Sequence, residues 1–146
     1  MIRYSILIVV LLLMTTGNSD CRRKPPSSDE ANTNYGYANL VNDLRVAGVQ
    51  VESAGEVSQP FFSVKGKVIK GNDGDVQVFE FGNTAATNTA ASEISSDGSS
   101  IGRSQPNWIA PPHFYKKGKI IVLYLGDNAT ILKALEVALG RQFAGR

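Results

Sequence analysis

Two chemically reactive residue types occur only once in this 146-residue chain: cysteine, at Cys21, and histidine, at His113. That solitude excludes much chemistry. A single cysteine forms no internal disulfide, and a single histidine builds neither a multi-histidine metal centre nor an HExxH helix. There is no G-x-S-x-G elbow, and the serines concentrate in 95–104, so a Ser-His-acid triad would have to recruit His113 from a distant part of the chain. The glycines form neither G-x-G-x-x-G nor G-x-x-x-x-G-K-[ST]. "NDGD" at 72–75 opens like a calcium loop, but Phe81, Gly82 and Asn83 stand where the closing carboxylate belongs, so it reads as a hairpin turn. Glu52, Glu56, Glu80, Glu93, Asp97, Asp127 and Glu136 are scattered without a pairing pattern. The residues lean away from an enzyme and require no metal or cofactor. The catalytic alternative is a small secreted hydrolase-like enzyme using His113 and a nearby carboxylate.

Cys21 closes a segment of distinct character. Arg3 and the free amine precede the apolar run ILIVVLLLM (6–14), and "TTGNSD" then turns small and polar. This is the order of a secretory signal peptide, and the apolar stretch is shorter than the ~20 residues of a spanning helix. The segment resembles a bacterial lipoprotein signal, in which a cysteine just after the cut carries lipid. Asn18, Ser19 and Asp20 depart from the aliphatic-and-small box that precedes such a cysteine. Plain secretion therefore stays open, and Arg22, Arg23 and Lys24 keep an uncleaved N-terminal membrane anchor open as well. The expectation is a signal peptide over 1–20, lipid attachment at Cys21, and a location on the extracytoplasmic side of the cell membrane. Residues 21–35 lack the aliphatic content to bury anything and are expected to be a disordered tether.

The remaining candidate surface combines aromatics, prolines and lysines in "SQPFFSVKGK" and "NWIAPPHFYKKGK". Phe61, Phe62, Trp108, His113, Phe114, Tyr115, Lys116 and Lys117 could form a patch for a protein or small-molecule partner. The same aromatics could instead fill the core of a small sheet while the lysines solubilise its turns, and the pattern favours this second reading. A formal net charge of +2 is too weak for a nucleic-acid binder, so none is expected as partner.

Residues 36–146 form one domain by length. Tyr37, Leu40, Val41, Leu44 and Ala47 recur at helical spacing ahead of Gly48, which predicts a helix over 37–47. Val49 and Val51 suggest a short strand. Phe62, Val64, Gly66 and Val68 alternate with polar residues and predict a strand that returns through 76–81. Asn83 or Thr84 should cap a helix over 85–94 with Ala86, Ala90 and Ile94 inward. A second hairpin is predicted from 108–115 and 119–125, the latter apolar throughout and so covered on both faces. Ile131, Leu132, Leu135, Ala138 and Leu139 mark a last helix that stops at Gly140. "VFEFGNTA" (78–85) aligns with "VLYLGDNA" (122–129) as a weak repeat. The expected fold is α+β: an antiparallel sheet of about four to five strands with helices on one face, built as two β-β-α units after an N-terminal helix.

"GEVSQPFFSV", "DVQVFEF", "DGSSIG", "PPHFYKKGKIIVLYLGD" and "LGRQFAGR" resemble a group of uncharacterised small bacterial lipoproteins over about residues 40–146. Members join a signal-like N-terminus to a domain of this kind. The resemblance implies an envelope location and the extent of the domain, and it implies no catalytic residue. The function expected is a non-catalytic, envelope-anchored or exported binding domain. The alternatives are the His113 enzyme and a structural module docking its sheet onto a larger envelope complex.

Overall fold

The computed structural model describes residues 32–71 and 74–146. The signal-like segment, Cys21, most of the tether and the tip of the "GNDGD" turn lie outside these residues. The elements run α1 (Tyr37–Val46), β1 (Glu52–Val57), β2 (Gly66–Gly71), β3 (Gly74–Glu80), α2 (Thr84–Ser92), β4 (Pro112–Lys117), β5 (Ile120–Leu125), α3 (Ala129–Leu139) and β6 (Ala144–Gly145). The strands form one antiparallel sheet in the order β1-β2-β3-β5-β4-β6. The fold is α+β, and two β-β-α units follow an N-terminal helix. The sheet has six strands rather than four to five, because an edge strand is added on each side.

Both extra strands carry little sequence signal. β1 (ESAGEV) is exposed along nearly its whole length and bulges between Ser53 and Glu56. It therefore lacks the apolar alternation by which a half-buried strand is read, and its charge and bulge suit an unpaired edge. Val49 and Val51, expected as this strand, precede it and pack partly buried against the helices. β2 and β4 also start later than expected. Phe62 and Val64 lie before Gly66, and Trp108 lies before Pro112.

Strand alternation sorts the core into two layers. Ile69, Val76, Val78, Tyr115, Ile120, Val122 and Tyr124 face Leu40 and Leu44 of α1 and Ile131, Leu135 and Leu139 of α3. Phe79, Phe114, Ile121 and Leu123 face the other side, where Phe62, Phe81, Ala91, Ile94 and Ile101 cover them. β5 is buried on both faces, as its continuous apolar run requires. α1 and α3 share one face, but α2 packs on the opposite one, so the expectation of helices on one face holds for two of the three.

The repeat explains this split. Val78 and Val122, matched by the repeat, are direct cross-strand partners, so the two hairpins meet about that pair. The helix caps are out of step with the repeat by one residue: Asn83 caps α2, and Asn128 rather than Asp127 caps α3. Glu80 ends β3 pointing toward α1, where its carboxylate accepts from the Tyr37 amide. Leu125 ends β5 pointing to the other layer. With a side-chain period of two, a one-residue difference reverses the exit face. On α2 the buried residues are Thr87 and Ala91, not Ala86. Thr87 reads as polar in sequence, but its hydroxyl donates to the Asn83 carbonyl, which lets it go inward.

Candidate functional site

β4 places alternate side chains on opposite faces of the sheet, and this divides the expected aromatic patch. Phe114 points into the layer containing Phe61, Phe62 and Trp108. Trp108 stacks edge-on against Phe61 at 5.9 Å and Phe114 at 6.0 Å, and its indole N–H donates to the Gly98 carbonyl at 2.7 Å. Phe62 closes on Phe79 at 4.6 Å. Of the expected patch, Phe62 and Phe114 are thus buried core, and Phe61 and Trp108 pack half-buried against it. Lys116 is on their side of the strand but exposed, and its ammonium donates to the Asn88 side chain at 3.0 Å.

His113, Tyr115 and Lys117 point the other way, toward α3. Lys117 spans the end of that helix, donating to the Ala138 carbonyl at 2.8 Å with its ammonium 4.2 Å over the Tyr35 ring. His113 and Tyr115 line an open cleft of about 760 Å³ between β4, the exposed flank of α3 and the C-terminal segment. Leu132, Lys133 and Glu136 form the helix wall, and Arg141, Gln142 and Phe143 form the opposite lip.

The imidazole is 7% exposed. Its Nδ1 lies 2.7 Å from the Gln142 amide oxygen, an acceptor, so this nitrogen is the donor in the contact. Nε2 is buried and has no hydrogen-bond partner among the described residues. Among the described residues no carboxylate bonds to the ring, and its neighbour on β5 is the Tyr124 ring, stacked at 6.1 Å. The Tyr115 phenol is held above its ordinary pKa by burial, reinforced by the negative charge of Glu136. The cleft thus offers two cations, one carboxylate, the Ser96 hydroxyl and a phenol held protonated, beside Leu132 and an imidazole fixed to the Gln142 amide. Such a set can orient a small polar ligand. It lacks the acid–imidazole–nucleophile relay of a hydrolase.

Ser96 also lines the cleft, whereas Ser95 and Ser99 are used elsewhere. Asp97 accepts from the Ser95 hydroxyl at 2.8 Å, the Ser99 hydroxyl at 2.8 Å and the Ser99 amide at 3.0 Å, which winds 95–100 around one carboxylate. The described residues contain no cluster of three or more metal-ligating side chains. They also contain no helix long and apolar enough to cross a membrane.

Sequence reading singled out His113 and Tyr115 but missed Lys133, Glu136, Arg141 and Gln142. The three charged residues lie on an exposed helix flank and a polar tail, where residues of that type are unremarkable. Gln142 sits in the ending "LGRQFAGR", and nothing local marks it as the partner of a histidine 29 residues away. The fold and cleft define an α+β protein with a sheet covered on both faces. No family model, curated protein or solved structure matches the chain.

Proposed function

We propose that this chain is a non-catalytic binding domain, exported and held on the extracytoplasmic side of a membrane through its first segment, with a small polar ligand taken in the His113 cleft. The state of His113 carries the binding reading. Its Nδ1 is committed to an amide, and the cleft around it holds paired and unpaired polar groups without a relay. The catalytic alternative needs a carboxylate on that ring, and Gln142 occupies the position. The docking-module alternative needs a bare sheet face, and both faces are covered.

The signal-like order of the first twenty residues, Cys21 directly after them, and the resemblance to small bacterial lipoproteins support the location. Two or three acyl chains on Cys21 would anchor the domain stably, where one would not. Mass spectrometry of the chain extracted from its native membrane tests this directly. The expected product begins at Cys21 and carries diacylglycerol mass, and it partitions into the detergent phase. Recovery of an unmodified chain from the aqueous phase overturns the anchoring. In the same extract, native mass spectrometry should show a retained small molecule whose occupancy falls in Leu132→Trp, which adds bulk at the helix wall of the cleft.

A further inference from the structure

We infer that the end of the sheet at which the tether joins the domain is a membrane-facing surface that docks on anionic lipid headgroups. The inference rests on the anchored reading above and adds the orientation of the domain and the lipid charge it prefers.

Topology gathers the lysines. β2 begins and β4 ends at the same end of the sheet, because β3 and β5 between them run antiparallel in register. The two echoing "KGK" stretches, Lys65-Gly66-Lys67 at the start of β2 and Lys117-Gly118-Lys119 between β4 and β5, are therefore brought together there with Lys116. Lys65, Lys67 and Lys116 are exposed, and Lys117 and Lys119 are half-buried. The acids at this end are Glu56, which lies 3.5 Å from Lys65, and Glu80, which is turned in toward the Tyr37 amide. The opposite end of the sheet carries Glu52, Asp75 and Asp127 beside Arg45 and Lys70. The domain is thus electrically polar along its strands.

The tether enters at the basic end. The Asn32 carbonyl accepts from the Tyr35 amide at 3.4 Å, Thr84 donates its hydroxyl to the Thr33 carbonyl at 3.1 Å, and the Lys119 amide donates to the Tyr35 carbonyl at 2.8 Å. At Gly118 (φ +53) an added Cβ would come within 2.5 Å of the Asn32 carbonyl oxygen and 2.6 Å of that of Tyr35, so this turn has no room for a side chain beneath the incoming chain. The stretch between Cys21 and Asn32 spans at most about 40 Å fully extended. It begins with Arg22, Arg23 and Lys24, so cations lie at both of its ends. A lysine within a Debye length of an anionic leaflet gains about fivefold in partition, so several together favour contact over standing off.

The test uses the full chain reconstituted into phosphatidylglycerol-rich or pure phosphatidylcholine vesicles and labelled with a membrane-impermeant amine reagent. In the anionic vesicles Lys65, Lys67, Lys116 and Lys119 should label at least tenfold more slowly than in phosphatidylcholine, while Lys70 and Lys133 label equally in both. Molar salt should abolish the difference. Equal labelling of both sets in the anionic vesicles overturns the inference, even where Cys21 proves acylated. If the native chain proves unacylated, the soluble form must co-sediment with phosphatidylglycerol vesicles and not with phosphatidylcholine ones, and failure to do so also overturns it. Protection of the same lysines by soluble polyphosphate at equal phosphate concentration would mark a general polyanion site and overturn the lipid assignment. Lys65→Glu together with Lys67→Glu, both at exposed positions, should remove the charge-dependent protection.

Discussion

The Nδ1 of His113 and the amide oxygen of Gln142 are 2.7 Å apart, and this contact fastens the C-terminal segment to β4. Backbone pairing of His113 with Gly145 lies next to it. Gln142→Leu should therefore strand a buried imidazole with neither nitrogen paired and cost about 1–3 kcal/mol. Replacing both partners by apolar groups removes the stranded polar atoms, so His113→Leu combined with Gln142→Leu should recover part of that loss. Urea unfolding of the three proteins checks the order. A double variant at least as unstable as Gln142→Leu alone would show that the hydrogen bond is not what holds the segment.

Phe79 of β3 crosses over Gly66 of β2, its direct cross-strand partner. A Cβ on Gly66 would come within 2.6 Å of the Phe79 ring, which is fully buried and cannot swing away. Gly66→Ala should cost about 1–3 kcal/mol through overpacking, despite the gain in β propensity expected of losing a glycine from a strand. Thermal unfolding decides it, and an unchanged or raised Tm would refute the argument. Leu123→Ala, at a site with 0% exposure, should cost about 2–5 kcal/mol and gives the scale for comparison.

The central elements were legible because their periodicity is produced by burial. β5 is apolar at every position since both faces are covered, and α3 shows a stripe since only one side is. β1 could not be read because an exposed bulged edge has no burial pattern to leave in its sequence. The phase of α2 was misread because Thr87 enters the core by satisfying its hydroxyl on its own helix. The expected aromatic patch joined neighbours in sequence that a strand sends to opposite faces. The cleft was half legible: its histidine is unique, but its amide partner and charged walls come together only through the turn after α3.

Tyr35 and Tyr115 make the domain sensitive to alkali. Burial raises both phenols above their ordinary range, with the hydrogen bond from Tyr35 to Asp43 at 2.7 Å and the charge of Glu136 near Tyr115 acting in the same direction. A phenol raised in the fold stabilises it below the unfolded value of about 10, and the contribution is lost as pH rises beyond that. Tyr35→Phe should cost about 1 kcal/mol at neutral pH through the lost hydrogen bond, yet flatten the fall in stability above pH ~10. Denaturant titrations of the wild type and variant across that range separate this effect from the lysines, which titrate in both. Parallel curves would remove Tyr35 as the cause.

Asp97 sets the opposite limit. The Ser99 amide donates to it first of all, and the Ser95 and Ser99 hydroxyls add to this, so its carboxylate is held down to about 2 although it is fully exposed. A depressed carboxylate supports the fold above its unfolded value near 3.9, and the support drains away as pH falls through the folded value. The loop it organises carries Gly98, whose carbonyl anchors the Trp108 indole, and Ile101, which is buried in the aromatic layer. Acid should therefore loosen that loop before it unfolds the sheet. Carboxyl chemical shifts should give an Asp97 midpoint near 2. Amide exchange at Ser99 and Ser100 should quicken below pH ~4 while β5 stays protected. Asp97→Asn keeps one acceptor oxygen but no charge, so it should exchange quickly at those two amides at neutral pH and lose the acid dependence. If Asp97→Asn and wild type exchange alike at every pH, the carboxylate does not order the loop.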